Sequence, residues 1–399
     1  MKYKLGEVCT KIGSGATPRG GKESYFNEGI SLIRSQNILD FSFSNDGLAH
    51  ISELQAEQLS NVNVESMDIL LNITGDSVAR ACIVPDNVLP ARVNQHVSII
   101  RTDITKADYR YILYYIQSIK QYLIQISSSG ATRKALTKAM IEDIELELPS
   151  LEKQSIIGNM LSSLDAKISE NTKINHHLAE ITQAIFKSWF EKFEPWDGEM
   201  PENWSYTTLD SLCSLISKGI TPKYDETSAE IVINQKCIRN KEIDLRLARK
   251  HQPKRINEKW LQYGDVLINS TGEGTLGRAA QFLFDGSNYT VDSHITIIRP
   301  TSDELVHFIG QWSLQRESEF ASMASGSTGQ TDLPRERLKA MECILPDVET
   351  LKNYSVIVKP IVEKQVAYQK ENARLADIRD AILPRLMSGE LSVADLLTS

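Results

Sequence analysis

The chain lacks any long apolar run. In 399 residues no stretch approaches the roughly 18–20 apolar residues of a membrane span, and its start, MKYKLGEVCTKIG, has no signal-peptide core. A cytoplasmic location and no membrane partner are expected. Cysteine is scarce and scattered: Cys9, Cys82, Cys213, Cys237 and Cys343 form no C-x-x-C pair, which speaks for reduced structural thiols and against a disulfide framework or a zinc site. His176 and His177 adjoin where a helix is expected, so they diverge around it as a solvated pair. No metal site is expected.

An excess of positive charge is also missing. The chain has 44 Lys and Arg against 52 Asp and Glu, a net charge of −8, so no global basic field attracts a polyanion. Enzyme motifs are absent on close reading. The stretch Gly15–Glu23 resembles a phosphate loop, but its leading Gly is one place off and Glu23 stands where Ser or Thr is required. Gly272–Gly277 fits G-x-G-x-x-G, yet the short stretch before Gly286 leaves no room for a crossover helix. No Asn/Asp-Pro-Pro-aromatic motif occurs. These gaps argue against a catalytic chain.

What is present is a repeat. CTKIGSGATPRG at 9–20 returns as CSLISKGITPKY at 213–224, and Asp68-Ile-Leu-Leu-Asn-Ile-Thr-Gly75 returns as Asp265-Val-Leu-Ile-Asn-Ser-Thr-Gly272. Each of the latter precedes an Arg, Arg80 or Arg278. VNQHVSIIR, ending at Arg101, answers VDSHITIIR, ending at Arg299; SSSGATRKAL answers ASGSTGQTDL, and ELELPSLE answers ECILPDVE. The separation runs from 197 residues (Asp68 to Asp265) to 204 (Cys9 to Cys213), the mark of one duplication with small insertions. The glycines of Gly272–Gly277 are not shared, since the first copy reads Gly75-Asp-Ser-Val-Ala-Arg80.

Each copy opens with short β-branched runs bounded by Gly, Asn and Pro, mixed with helical stretches such as Tyr109–Ile126, and so predicts a compact α/β or α+β domain. Pro149 or Pro346 then punctuates the chain, with Ser150 or Asp347 as N-cap. A long helix follows. Ile157, Leu161, Leu164, Ile168, Asn171, Asn175, Leu178, Ile181 and Ile185 recur at steps of three and four, matched by Tyr354, Val358, Ile361, Gln365, Tyr368, Asn372, Leu375, Ile378 and Ile382. This predicts a helix-against-helix seam, each helix some 50–60 Å long at 1.5 Å per residue, with Asn175 and Asn372 fixing register. Two amphipathic helices, each packed on its own domain, are the competing reading. The acidic stretch EKFEPWDGEMPEN at 191–203 reads as a connector. The expected order is a domain at 1–150, a helix at 151–191, a linker at 192–203, a domain at 204–347, a helix at 348–387 and a tail at 388–399.

In this order the motifs resemble the specificity subunit of type I restriction–modification systems over essentially the whole chain. The matching stretches are Gly15-Ala-Thr-Pro18 and Gly219-Ile-Thr-Pro222, Arg34-Ser-Gln-Asn-Ile38 with its echo Asn234-Gln-Lys-Cys-Ile238, and Gly264-Asp-Val-Leu267 with Met67-Asp-Ile-Leu70. Gly326-Ser-Thr-Gly-Gln330, SWFEKFEP at 188–195 and Leu386-Met-Ser-Gly-Glu-Leu391 complete the set. The first copy departs from the family in having Gly130-Ala-Thr-Arg-Lys134, where the pattern has Gly-Gln after Thr. The resemblance implies an α+β fold with two pseudo-symmetric target recognition domains separated by two long antiparallel coiled-coil helices. It implies a non-catalytic subunit that reads a bipartite, asymmetric double-stranded DNA target, one half per domain, while the helices set the spacer. Two methyltransferase subunits and motor-nuclease subunits are the implied partners, and S-adenosylmethionine, ATP and magnesium would belong to them, with no cofactor on this chain. The contending classes are an enzyme of unknown chemistry and a duplicated scaffold that binds proteins or glycans.

Base-edge reading needs Arg, Lys, Asn or Gln on shaped loops. In the first copy the candidates are Thr17, Arg19, Lys22, Arg34, Gln36, Asn37, Arg80, Gln95, Thr132, Arg133 and Lys134. In the second they are Lys218, Thr221, Lys223, Gln235, Lys236, Arg239, Arg278, His294, Thr328 and Gln330. The run from Lys236 to Lys259 holds nine Lys and Arg against three acids, adding Arg249, Lys250, Lys254 and Arg255 as phosphate contacts, with a solvated charged face as the alternative.

Overall fold

A computed structural model describes residues 2–18, 25–128, 135–253, 259–272, 274–284, 286–325 and 331–392. The chain divides into two compact units, one formed by Met1–Asn171 with Glu371–Ser399, the other by Thr172–Lys370. Both mix helices with sheets, an α+β architecture.

In the first unit an antiparallel four-stranded sheet has the order Cys9–Ser14, Val97–Thr102, Ile69–Asn72, Ala81–Ile83. Its central strands are buried on both faces, which is why they read as continuous apolar runs. Ile69, Leu71 and Ile100 face a core shared with Tyr111, Leu161, Leu383 and Leu386. Leu70 and Ile99 face a second core with Leu32, Ile33 and Val93. The latter belong to a second sheet, in which Ile30–Ile33 pairs in parallel with Ala91–Val93 and antiparallel with Ala49–Ile51.

The second unit repeats the plan. Cys213–Lys218, Ile295–Pro300, Val266–Asn269 and Ala279–Gln281 form the same four-stranded order, and both copies shift register after the initial Cys. Val266–Asn269 and Ala279–Gln281 are antiparallel neighbours, so the glycine-rich stretch between them lies within a hairpin connection and no dinucleotide-binding crossover exists there. Each frame is pinned by the same buried ion pair. Arg101 Nε and Nη2 donate to the two oxygens of Asp68 at 2.7 and 2.8 Å, and Arg299 does the same to Asp265 at 2.8 and 2.7 Å. Both carboxylates are wholly buried and also accept a backbone N–H, from Glu65 or Gln262. Removing one partner of such a pair costs about 3–5 kcal/mol.

The long helices span Leu151–Phe190 and Val348–Met387, 40 residues each. Ser150 Oγ accepts from Lys153 N at 3.4 Å, and Asp347 Oδ1 from Thr350 N at 3.0 Å. In each unit a segment of one helix packs antiparallel on a segment of the other. In the first unit Asn171 Nδ2 donates to Asn372 Oδ1 at 2.9 Å, Arg379 pairs with Asp165, and Tyr114 OH donates to Asp165. Arg379 also lies over the ring of Phe41, 3.8 Å from its centroid. In the second unit Asn175 Nδ2 donates to Gln365 O at 3.1 Å, and Phe186 and Phe190 pack with Tyr354 and Phe308. Phe193, Trp196 and Met200 of the connector join that core.

Ile157, Leu161, Asn175 and Val358 are buried, and Leu164, Ile168, Leu178, Ile185, Ile361, Asn372, Leu375 and Ile382 are half-buried. Ile181 and Ile378, expected in the seam, are exposed. Thr182 and Arg379, one place on, are buried instead, because an α-helix of 3.6 residues per turn drifts from a strict heptad over many turns. His176 and His177 are exposed and flank Glu180. All five cysteines are free.

Candidate nucleic-acid interface

In the first unit the strand Cys9–Ser14 leaves its sheet through Gly15-Ala-Thr-Pro18, where Gly15 N donates to Val97 O and Ala16 N to Val93 O, each at 3.0 Å. A Cβ on Gly15 would lie 1.9 Å from Val93 O, so only glycine permits this crossing. In the second unit Gly219 N donates to Ile295 O and Ile220 N to Val291 O, each at 2.9 Å, and a Cβ on Gly219 would lie 2.2 Å from Val291 O. The repeated Gly-x-Thr-Pro is therefore a crossing that brings a loop onto the next strand's end.

Other repeated motifs meet there. Thr17 bonds to Gln95, Gln95 Nε2 lies 3.3 Å from His96 Nε2, and His96 Nδ1 lies 2.7 Å from Thr74 Oγ1. Thr74 bridges to Ala135. In the second unit Thr271 Oγ1 lies 2.7 Å from His294 Nδ1, Thr271 bridges to Asp332, and Lys218 Nζ donates to both oxygens of Asp332 at 2.6 and 2.7 Å. A further loop is tied in at the same strand end. Asn72 Nδ2 donates to Ser35 O at 2.9 Å, and Asn269 Nδ2 to Gln235 O at 3.1 Å. Five separately repeated segments thus converge on one end of each four-stranded sheet. Burial pushes the Asp292 carboxyl up, opposed by the N–H of His294. Burial, helped by Arg335, pushes the Lys259 ammonium down, and Lys259 donates to Ser217 Oγ.

The sequence candidates divide at this rim. Asn37, expected to contact DNA, is wholly buried. Its Nδ2 donates to Ser44 O and Asp46 O and its Oδ1 accepts from Arg34 N, so it shapes the loop and presents nothing outward. Gln36 and Arg34 donate to Gly47 O, Arg34 also lying over Tyr25. Gln235 has a buried Oε1, and Lys218 is neutralised by Asp332. Arg80 is half-buried, as is Arg278, which donates to Gly274 O. Thr221, Lys223, Lys236, Arg239, Arg249, Lys250 and His294 are exposed. Lys236, Arg239 and Arg249 have no side-chain hydrogen bond or ion pair among the described residues. Arg19, Lys22, Thr132, Arg133, Lys134, Lys254, Arg255, Thr328 and Gln330 lie outside the described residues. Sequence reasoning missed Thr74, His96 and Thr271, although all three sit inside repeated motifs, and it missed Tyr224, which closes the stretch 213–224 opposite Gly20 of the first copy, and His251, which lies in no repeated motif. Among the described residues no cluster of His, Cys, Asp and Glu could hold a metal ion, and no helix is long and apolar enough to cross a membrane.

A frame stated twice, each copy ending in the same convergence of polar loops, defines a duplicated two-headed recognition protein. Residues 1–180 match the family model described as type I restriction modification DNA specificity domain. The chain is 26% identical to the type I restriction enzyme MjaIX specificity subunit of Methanocaldococcus jannaschii, over 98% of this chain and 93% of that one. It is 22% identical to the HindI specificity subunit of Haemophilus influenzae, over 98% and 99%. A crystal structure of a type I restriction–modification S subunit from M. genitalium shares the fold, with a TM-score of 0.60, 15% identity and coverage of 97% and 96%. Residues 1–180 thus match the DNA specificity domain of these systems, and over nearly its whole length the chain is similar to type I specificity subunits.

Proposed function

We propose that this chain reads DNA for a type I restriction–modification complex, each head recognising one half of a bipartite, asymmetric target through the loops converging at its sheet end. The observation that carries the reading is that convergence: the frame beneath is repeated motif for motif, while the exposed side chains on the rim differ between heads. Shared structure with divergent rims suits two related tasks on two unlike sequences. Exposed Lys236, Arg239, Arg249 and Lys250 supply the second head of an acidic chain with local positive charge that attracts phosphate.

The long helices fix the spacing of the half-sites and carry two methyltransferase subunits, which motor-nuclease subunits join in the cytoplasm. S-adenosylmethionine, ATP and magnesium serve those partners, and the base to be methylated is turned out of the duplex by the methyltransferase. The chain itself holds no catalytic group. Purified alone, it should show no methyl transfer, nuclease or ATPase activity, whereas adding its methyltransferase subunits and S-adenosylmethionine should yield adenine methylation at one bipartite sequence. Methyl transfer by the isolated chain would overturn the proposal.

A further inference from the structure

Exposed cations on a protein surface often find an internal acceptor, and several of those on the second head do. Arg246 is held by Asp244, Lys223 by Gln252, Lys250 by Glu226 O and Arg335 by Glu336. Exposed Lys236, Arg239 and Arg249 have no side-chain hydrogen bond or ion pair among the described residues, and Arg249 is set apart from the other two by a stacking contact. Its guanidinium carbon lies 3.4 Å from the centroid of the Tyr224 ring. Stacking covers one face of the guanidinium and leaves the N–H donors along its edge pointing to solvent.

The ring beneath it is anchored. Tyr224 continues the Gly219-Ile-Thr-Pro222 loop and bridges antiparallel to His251, which is wholly buried. His251 Nδ1 lies 3.0 Å from Lys223 N, while Gln252 N donates to Lys223 O at 2.9 Å. A buried side chain and a backbone pairing thus hold the loop against the edge strand that carries Arg249. The stacked arginine gives up little further rotamer freedom when it binds, and preorganisation of this kind favours affinity.

The first head has a similar bridge, Phe26 to His50, but no arginine on the edge strand beside it. Leu32 pairs with Arg92 on one side and Ala49 on the other, and Val232 pairs with Thr290 and Arg249. The first head therefore has buried Ala49 where the second has exposed Arg249, and Ile51 where the second has His251. Frame residues recur between heads. A residue that distinguishes one half-site from the other cannot.

We infer that Arg249 reads the major-groove edge of a guanine in the second head's half-site, with Tyr224 and His251 as positioning residues. The inference rests on the DNA-reading function proposed above. A planar, pre-set fork fits guanine O6 and N7 together, which a lysine cannot do.

The test is a binding selection from randomised duplex DNA, using the full chain with its methyltransferase subunits, at two salt concentrations. Arg249→Lys keeps the charge but loses the fork. It should lower preference for one guanine by on the order of 10- to 100-fold and leave the salt dependence and the first head's half-site unchanged. Tyr224→Ala should relax the same position, and Tyr224→Phe, which keeps the ring, should restore it. The retained first half-site reports that each variant is folded. Unchanged guanine preference in Arg249→Lys, or weakening spread evenly over all sequences as for a phosphate contact, would overturn the inference. A wild-type complex that enriches no sequence would instead overturn the proposed function.

Discussion

His307 lies buried in the second head with no hydrogen-bond partner for its Nδ1, and burial, reinforced by Lys359, pushes its pKa down from 6.5 to about 4. Between those values the unfolded chain binds a proton that the folded chain does not, so stability is fully present above about pH 6.5 and is lost as pH falls toward 4. One such group contributes a slope of at most about 1.4 kcal/mol per pH unit. Urea unfolding midpoints measured from pH 7 to pH 4 should fall more steeply for the wild type than for His307→Asn, which cannot titrate. Equal slopes would show that this imidazole is not held neutral. Other single residues show why so much of the rim was illegible in the sequence. Asn37 carries the side chain of a base reader, but whether it points outward depends on carbonyls seven and nine residues away. Asp68 and Arg101 were visible as repeated letters, yet their pairing requires the antiparallel register of two strands to be known. An opposite-charge pair recurring inside apolar runs was the available signal.

At the scale of elements, the long helices were legible because apolar residues at steps of three and four persist far beyond what one small domain needs. Their phase was not, since Ile181 and Ile378 fit the repeat but face solvent. The inward positions Asp165 and Arg379 carry an ion pair supported by Tyr114, and burial pushes the Asp165 carboxyl up against the opposing pull of Tyr114 and Arg379. Both helices have the same length, so position 165 corresponds to Val362 and position 379 to Thr182, each buried in the second unit without charge. The same frame therefore tolerates an apolar solution. Arg379→Thr alone leaves a buried carboxylate without its cation and should cost about 3–5 kcal/mol, whereas Asp165→Val with Arg379→Thr should recover most of that loss. Denaturant unfolding of the two single variants and the double variant checks this. Additive losses would contradict the assignment of the pair to helix packing.

At the scale of the whole molecule, duplication separates what must stay constant from what must vary. The repeated Gly-x-Thr-Pro crossing, the Asp–Arg pairs, the Thr–His contacts and the capped helices belong to the frame. Tyr224, Arg249 and His251 lie outside it, which is why no repeat-based reading could single them out. A net charge of −8 is compatible with DNA reading because nine of the 44 Lys and Arg fall in the one run from Lys236 to Lys259, against only three acids there. If each head is an independent reader on a common frame, one head can be exchanged without disturbing the other. The most direct measurement replaces residues 1–150 with the corresponding segment of a relative of different specificity and maps the adenines methylated by the reconstituted complex. One half of the methylated sequence should change to that of the donor while the other half stays as in the wild type; a change in both halves would contradict independent reading by two heads.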